Sequence, residues 1–227
     1  MKTFMQNLIA NGVIKSHVFS FYIGNGQDGE VAIGGYDKAK MKEDTLNCID
    51  LVQPANYWLT PMDHVKFGGN IVSSGKNAGI IDSGTSLIYG PKEVVMKMAR
   101  QLGGQFVPQV NLFMIPCDKK IDDMEFSFGS KPYVVPGKDL VMKNGNYCFL
   151  AMSMMMFGEE EESMTEVETF DKELDAGVVE DIERLAGVSR LPIPQGISAW
   201  LLGDRFMMQV YSVFDVEKKQ MCFAELA

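Results

Sequence analysis

Apolar residues occur in short runs along this chain, and glycine-rich segments separate many of them. The runs at residues 18–23 and 30–35 flank the glycine-rich segment 24–29, an arrangement typical of a β-hairpin. Similar runs recur at residues 46–53, 57–60, 64–67, 71–72, 112–115, 125–128, 133–135, 147–150, 197–204, 210–215 and 221–224. So many short runs between turns predict a protein built mainly from β-strands.

Helical spacing is clear in one stretch of the sequence. Pro91 suits the first turn of a helix, and Gly103 and Gly104 end the pattern that follows it. Between them, apolar residues recur at helical spacing at Val94, Val95, Met98, Ala99 and Leu102. A shorter helix is predicted from Thr3 to Asn11, with Thr3 as its cap. The pattern as a whole therefore predicts an all-β fold with small helices.

Length and charge narrow the function classes. With 227 residues the chain is long enough for one large domain or two small ones. Of its 30 acidic and 21 basic residues, 12 acidic and 3 basic ones lie between Gly158 and Arg190, and the rest of the chain is balanced. Clustered basic residues are what nucleic-acid binding needs, so we exclude nucleic acid as a partner.

The acidic stretch also breaks the strand pattern. We interpret residues 158–195 as a long, exposed insertion loop, because runs of like charge such as Glu159 to Glu162 are normally solvated. A membrane partner is not expected, because no apolar run reaches 18 residues. The first residues lack the apolar core of a signal peptide, so nothing in this sequence directs secretion.

The four cysteines do not have the spacing of a metal site. Cys48, Cys117, Cys148 and Cys222 contain no close pair, so a zinc site is not expected. They are either buried free thiols or one or two disulfides, and the residues alone leave all three full pairings open. The methionines at residues 152–156 favour irregular core or cleft packing over a metal site.

The candidate chemistry lies at Asp82. Two apolar residues, Ile80 and Ile81, predict a buried strand that ends at this acid, and Ser83, Gly84 and Thr85 turn the chain after it. A carboxylate on the end of a rigid strand is well held for catalysis. The alternative is an ordinary turn in which the Asp side chain bonds to nearby backbone.

When the residues around Asp82 are taken together with those near the end of the sequence, the chain resembles the C-terminal lobe of a pepsin-like aspartic protease. The resemblance is carried by residues 80–87, by Gly90-Pro91 just after them, and by Trp200 to Phe206 with Tyr211 to Asp215. These patterns follow each other in the order and at the spacing of that family. The resemblance implies the pepsin-like acid protease fold, with residues 1–227 as a C-terminal β-barrel lobe. Residues 1–37 would be the segment that bridges the two lobes of the family.

The resemblance also assigns roles to individual residues. Asp82 would be a catalytic carboxylate, and the loop that supports it would contain Ser83, Gly84, Thr85, Leu202 and Gly203. Ser86 and Tyr57 would line the substrate cleft. The family has a disulfide in the stretch that corresponds to Cys117 and Cys148, so the resemblance implies that bond. It assigns no bond to Cys48 and Cys222, which are either free or paired where the bridging strands meet.

The implied activity is aspartic-type endopeptidase chemistry, without cofactor or metal. Two carboxylates share one proton, one of them activates a water molecule, and the water attacks the peptide carbonyl. The sequence contains one such signature, at Asp82, and lacks the first catalytic signature and the flap of the family. Three explanations remain: the chain is a fragment of a protease, it pairs with a second copy, or it is a non-catalytic peptide-binding or partner lobe.

The resemblance sets the expected partners and location. The partners would be a polypeptide substrate and either a complementary N-terminal lobe from the same precursor or a second copy of the chain. The opening residues correspond to the middle of the family's sequences, which favours a fragment. The full-length parent would be secreted or would lie in an acidic vacuole or lysosome. Cleavage specificity depends on both lobes and is not predicted.

Overall fold

A computed structural model describes residues 4–55, 57–155, 169–170, 174, 177, 179–180 and 196–227. Within these residues the α-helices with described bounds are α1 (Phe4–Ala10), α2 (Lys92–Gln101) and α3 (Asp204–Met207), and residues 177, 179 and 180 are also helical. The strands are β1 (Val18–Tyr22), β2 (Glu30–Ile33), β3 (Asn47–Asp50), β4 (Leu59–Phe67), β5 (Asn70–Ile81), β6 (Ile88–Gly90), β7 (Gln105–Val107), β8 (Leu112–Ile115), β9 (Met124–Phe128), β10 (Lys131–Val135), β11 (Val141–Asn144), β12 (Tyr147–Leu150), β13 (Met152–Met154), β14 (Ser198–Leu202), β15 (Tyr211–Asp215) and β16 (Gln220–Ala224). The predicted all-β fold with small helices is confirmed.

Three sheets organise the described part of the chain. A five-stranded sheet has the order β2-β1-β15-β16-β3, and it joins the first strands of the chain to the last ones. A seven-stranded sheet has the order β10-β9-β4-β5-β14-β6-β13, and a four-stranded sheet has the order β11-β12-β8-β7. Most pairs are antiparallel, whereas β14 runs parallel to β5 and β13 runs parallel to β6.

Strand β4 differs from the prediction of two separate strands at residues 57–60 and 64–67. It is continuous, and its pairing with β5 shifts register between Met62 and His64. The residue between them, Asp63, turns its carboxylate to the β9–β10 turn and accepts hydrogen bonds from the Ser130 N–H (2.7 Å) and the Ser127 hydroxyl (3.0 Å). A β-bulge thus absorbs the break in the apolar pattern without ending the strand.

Helix α2 lies where the helical spacing predicted it. Val95, Met98 and Ala99 are buried, while Met96 is buried in place of the half-buried Val94. Strands β6, β7, β11 and β13 were not predicted, because they are short and their residues show no clear alternation. The methionines of β13 are fully buried, as expected for core packing.

The core of the seven-stranded sheet is built around Trp200, whose side chain is fully buried. Its ring contacts Phe126 edge-on, with the ring centroids 5.6 Å apart. Gly90, on the neighbouring strand β6, lies directly against this ring, and a β-carbon added there would be 2.4 Å from it. The absence of a side chain at Gly90 therefore makes room for the largest residue of the core.

Two disulfides cross-link the chain, one within the five-stranded sheet and one between β12 and the loop after β8. Cys117 is bonded to Cys148, which is the bond that the family resemblance implied. Cys48 is bonded to Cys222, and these two residues face each other on β3 and β16. The pairing that the residues alone left open is therefore resolved, and no cysteine of the chain is free.

Two further sequence predictions concern the acidic insertion and the absence of a membrane partner. The acidic insertion at residues 158–195 lies almost entirely outside the described residues, so its predicted loop character stays a prediction. None of the helices in the described part of the chain is long and apolar enough to cross a membrane.

The packing at Trp200 leads to a stability prediction. Replacing Gly90 with Ala should lower the free energy of unfolding by about 1–3 kcal/mol, because the added methyl group overpacks a fully buried ring. Gly35→Ala is the matched control: a β-carbon there meets no atom within 4 Å, and the expected change is below about 0.5 kcal/mol. Urea unfolding of both variants measures the difference. Equal stability of the two variants would show that the ring is not confined by Gly90.

Candidate active site

Asp82 follows directly after the last residue of β5, and both of its carboxylate oxygens accept hydrogen bonds. The Gly84 N–H donates to Oδ1 (3.0 Å), and the Thr85 hydroxyl donates to Oδ2 (2.6 Å). Thr85 is buried, whereas Asp82 is only half-buried. The turn therefore fixes the orientation of the carboxylate and leaves it partly exposed.

Strand β14 passes behind this turn, between β5 and β6. Leu202 pairs with Ile81 on one side and with Ile88 on the other, and its carbonyl oxygen accepts the Asp82 N–H (3.2 Å). Leu202 and Gly203, which were expected in the loop that supports Asp82, therefore lie next to the Asp82 turn. The backbone of β14 thus holds the residue that carries the candidate carboxylate.

Gly203 allows the turn to approach this closely. Its N–H donates to the Leu87 carbonyl oxygen (3.1 Å), and the next N–H, of Asp204, donates to the Thr85 carbonyl oxygen (2.8 Å). A β-carbon at Gly203 would lie 2.0 Å from that Thr85 oxygen. Any side chain at this position would therefore push apart the two segments that hold Asp82.

The other predicted residues occupy different positions around the turn. Ser83 is exposed at its tip, and Ser86 is half-buried. Ser86 hydrogen-bonds to the side chain of Asp204 and does not lie among the residues that line the cavity beside Asp82. Tyr57 does line that cavity and is 36% exposed. The structure thus brings Tyr57, but not Ser86, into the hollow that Asp82 borders.

The cavity beside Asp82 has a volume of about 500 Å³. Its walls are mainly apolar, and its two charged residues are Asp82 and Lys219. The residues that line it are Leu51, Ala55, Tyr57, Trp58, Ile80, Ile81, Asp82, Val216 and Lys219. Its size and its apolar walls with few polar groups are those of a site that binds a ligand or a partner.

Asp204 is a second carboxylate near Asp82 that the sequence reasoning missed as a functional residue. Burial raises its pKa above the ordinary value; the charge of Arg205 lowers the pKa, the charge of Asp82 raises it, and the bond with Ser86 lowers it. The signal was present in the sequence, because Asp204 stands in the Trp200 to Phe206 pattern. Nothing in that pattern indicated that the carboxylate lies beside the Asp82 turn.

Arg205 follows Asp204 in the chain and interacts with two nearby carboxylates. Burial lowers the pKa of its guanidinium group, and the nearby carboxylates of Asp139 and Asp204 raise it. Gln209 donates a hydrogen bond to Asp139 Oδ2 (3.2 Å). Asp204 and Arg205 are thus charged neighbours of the Asp82 turn, and Asp139 is a further charged neighbour of Arg205.

Metal-ligating residues do not gather in the part of the chain that the structure describes. No group of three or more His, Cys, Asp or Glu residues there could hold a metal ion. The chemistry available at the described site is that of an oriented carboxylate beside an apolar hollow.

The sequence matches the family described as eukaryotic aspartyl protease over residues 1–167 and 175–226. The chain belongs to this family. Aspartic protease 1 of Toxoplasma gondii is 33% identical over 236 aligned residues, which cover 100% of this chain and 36% of that protein. Rhizopuspepsin-1 of Rhizopus niveus is 35% identical over 153 residues, covering 65% of this chain and 39% of that protein. Cathepsin D of Bos taurus is 28% identical over 230 residues, covering 97% of this chain and 50% of that protein.

Coverage of these aspartyl proteases is partial. The chain spans between about a third and a half of the length of the curated relatives it matches. Family membership therefore supports aspartic endopeptidase chemistry in general, while the part that this chain takes in it is a separate question.

The raised pKa of Asp204 leads to a prediction about pH. A carboxyl group with a raised pKa in the folded chain stabilises the fold at low pH, and this contribution is lost as the pH rises through that pKa. The free energy of unfolding of the wild-type chain should therefore fall relative to that of Asp204→Asn as the pH rises above about 4. Urea unfolding across this pH range measures the difference.

The matched control for this prediction is Asp44→Asn, which removes an exposed carboxylate from a short 3-10 helix. Its stability curve should run parallel to that of the wild type. If the Asp204→Asn curve does the same, burial does not disfavour the charged form of Asp204.

Proposed function

We propose that this chain is one lobe of an aspartic endopeptidase and that Asp82 is one of its two catalytic carboxylates. The main support is the orientation of Asp82: both oxygens are fixed by Gly84 and Thr85, and the carboxylate borders an apolar cavity. Membership of the eukaryotic aspartyl protease family supplies the reaction class. In this proposal residues 1–227 form the C-terminal lobe, residues 1–37 are its bridging segment, and residues 158–195 are an insertion in it.

The proposed chemistry needs a second carboxylate from outside the chain. Two carboxyl groups held about 3 Å apart share one proton, because both cannot ionise at low cost. The ionised group takes a proton from a water molecule that attacks the peptide carbonyl, and the protonated group donates a hydrogen bond to the developing oxyanion. Thr85 and Gly84 keep the Asp82 oxygens in place through this exchange of roles. Leu202 and Gly203 hold the turn, and Tyr57 contacts the bound polypeptide.

The proposed partner is a complementary lobe of the same precursor. Strand β2 lies at an edge of the five-stranded sheet, and two of its residues, Val31 and Ile33, are 52% and 45% exposed. These side chains alternate along the strand and therefore lie on one face. An open strand edge with an exposed apolar face suits the addition of a strand from a partner. Val216, which is 41% exposed, is a further exposed apolar side chain and lines the cavity beside Asp82.

The first experiment measures cleavage of a denatured protein at about pH 3 to 5, the range of carboxylate dyads. The chain is assayed alone, with its mass determined by light scattering, and then with the complementary lobe added. We expect cleavage with the lobe present, and its loss by at least about a thousandfold in Asp82→Asn. Asp44→Asn is the control for charge removal and should leave cleavage unchanged.

The outcomes separate the three explanations for the single signature. Cleavage by a dimer of the chain alone, abolished by Asp82→Asn, would replace the complementary lobe with a second copy. Peptide binding without cleavage, even with the complementary lobe present, would contradict the proposed catalysis and favour a peptide-binding lobe.

The partner surface is tested separately. Replacing Val31 and Ile33 with Lys should weaken association with the complementary lobe by about tenfold or more, because two charges would enter an apolar contact. Ile71→Lys is the control: Ile71 is 60% exposed but belongs to β5 of the seven-stranded sheet. Titration calorimetry gives both affinities. Equal weakening by the control would mean that β2 is not the docking edge.

A further inference from the structure

The disulfide between Cys48 and Cys222 has no counterpart among the bonds that the family resemblance implied. The two residues are direct partners on the antiparallel strands β3 and β16. Cys48 is exposed, whereas Cys222 is buried. Strand β3 has four residues and lies at the edge of the five-stranded sheet, so a neighbouring strand pairs with it on one side only.

Each cysteine of this bond is close in sequence to a residue that lines the cavity beside Asp82. Leu51 comes three residues after Cys48, and Lys219 comes three residues before Cys222; both residues line the cavity. The Leu51 N–H donates a hydrogen bond to the Lys219 carbonyl oxygen (2.9 Å). The disulfide therefore clamps the two segments that meet in this cavity wall, which we call the Leu51–Lys219 wall.

The far side of the wall is also fixed by hydrogen bonds. The Val52 N–H donates to the Leu59 carbonyl oxygen (2.8 Å), and the Ile81 N–H donates to the Trp58 carbonyl oxygen (3.2 Å). Trp58 lines the cavity and packs edge-on against Phe214 of β15, with ring centroids 4.9 Å apart. A displacement of Leu51 therefore reaches both the environment of Trp58 and the hollow that Asp82 borders.

We propose that Cys48–Cys222 is a thiol-exchange site for a low-molecular-mass thiol such as glutathione, and that opening this bond loosens the Leu51–Lys219 wall. Exposed disulfides are the ones that thiols reach, and an edge strand opens locally at lower cost than a central one. The consequence for catalysis rests on the proposed function of Asp82. The exchange and the movement of the wall do not depend on that function.

The exchange has two balanced steps. A thiolate attacks the sulfur of Cys48, the exposed residue of the pair, a mixed disulfide forms there, and Cys222 leaves as a thiolate that takes a proton from water. A second thiolate attacks the mixed disulfide, which releases Cys48 and forms the disulfide of the small thiol. The protein bond gains two electrons, and the two small thiols supply them.

The test exposes the folded 227-residue chain to reduced glutathione. Peptide mass spectrometry identifies the opened bond, and the indole N–H resonances of Trp58 and Trp200 report the structure; Trp58→Phe assigns the two signals. We expect a glutathione adduct on Cys48 and loss of the Trp58 resonance from its native position in proportion to the opened fraction. The resonance of the fully buried Trp200 should stay in place.

The second disulfide of the chain provides the matched control. Cys117 is also exposed and Cys148 is also buried, but neither residue lines the cavity beside Asp82. Cys117→Ser/Cys148→Ser should therefore give the same adduct on Cys48 and the same Trp58 shift as the wild type. Cys48→Ser/Cys222→Ser should show the displaced Trp58 resonance without glutathione and should not respond to it. If this variant does not fold, the wild-type titration alone decides.

Two results would overturn the proposal: a bond that stays closed in the folded chain, or an opened bond with an unmoved Trp58 resonance. Asp82→Asn should give the same adduct and the same resonance shift as the wild type. Loss of the proposed catalysis would therefore leave these readouts intact, and failure of the exchange would leave the Asp82 assay intact.

Discussion

The site depends on the passage of β14 between β5 and β6. This strand supplies the Leu202 carbonyl oxygen that accepts the Asp82 N–H, and the backbone of Gly203 then meets the Thr85 and Leu87 carbonyl oxygens. These backbone hydrogen bonds determine where the backbone of Asp82 lies, while Gly84 and Thr85 orient its carboxylate. The carboxylate is thereby held before any ligand arrives, which lowers the cost of organising the site for reaction.

The same passage explains why charged groups gather beneath the turn. Once β14 ends at Leu202, the chain continues into α3, whose first residue is Asp204. The N–H of this residue is bonded to the Thr85 carbonyl oxygen, so its carboxylate stays near the Asp82 turn despite the unfavourable burial and the like charge. Arg205 and Ser86 offset part of this cost. A site that holds one carboxylate firmly thus contains a second one nearby.

The sequence predicted the elements that have strong local signals. The apolar stripe of α2 and the short apolar runs of β1, β12 and β15 between turn residues each carry enough local signal to be recognised alone. The continuity of β4 was not predictable in this way, because the Asp63 bulge depends on hydrogen bonds to Ser127 and Ser130, more than 60 residues away. The Cys48–Cys222 bond was not predictable from spacing either, since it depends on the pairing of two strands separated by 174 residues.

The candidate site likewise combines residues that the sequence predicts with residues that it does not. Asp82, Thr85 and Gly203 stand in patterns that are read along the chain, whereas the cavity beside Asp82 is assembled from residues between Leu51 and Lys219. Its apolar walls come from segments that the sequence marks only as ordinary strands and turns. The five-stranded sheet joins these segments, because Val216 and Lys219 follow β15 and Leu51 follows β3. Strand β2 lies at the other edge of the same sheet. A partner that pairs with β2 and a thiol that opens the β3–β16 bond would therefore act on the same sheet from opposite edges, and both effects would reach the cavity through β15 and β16.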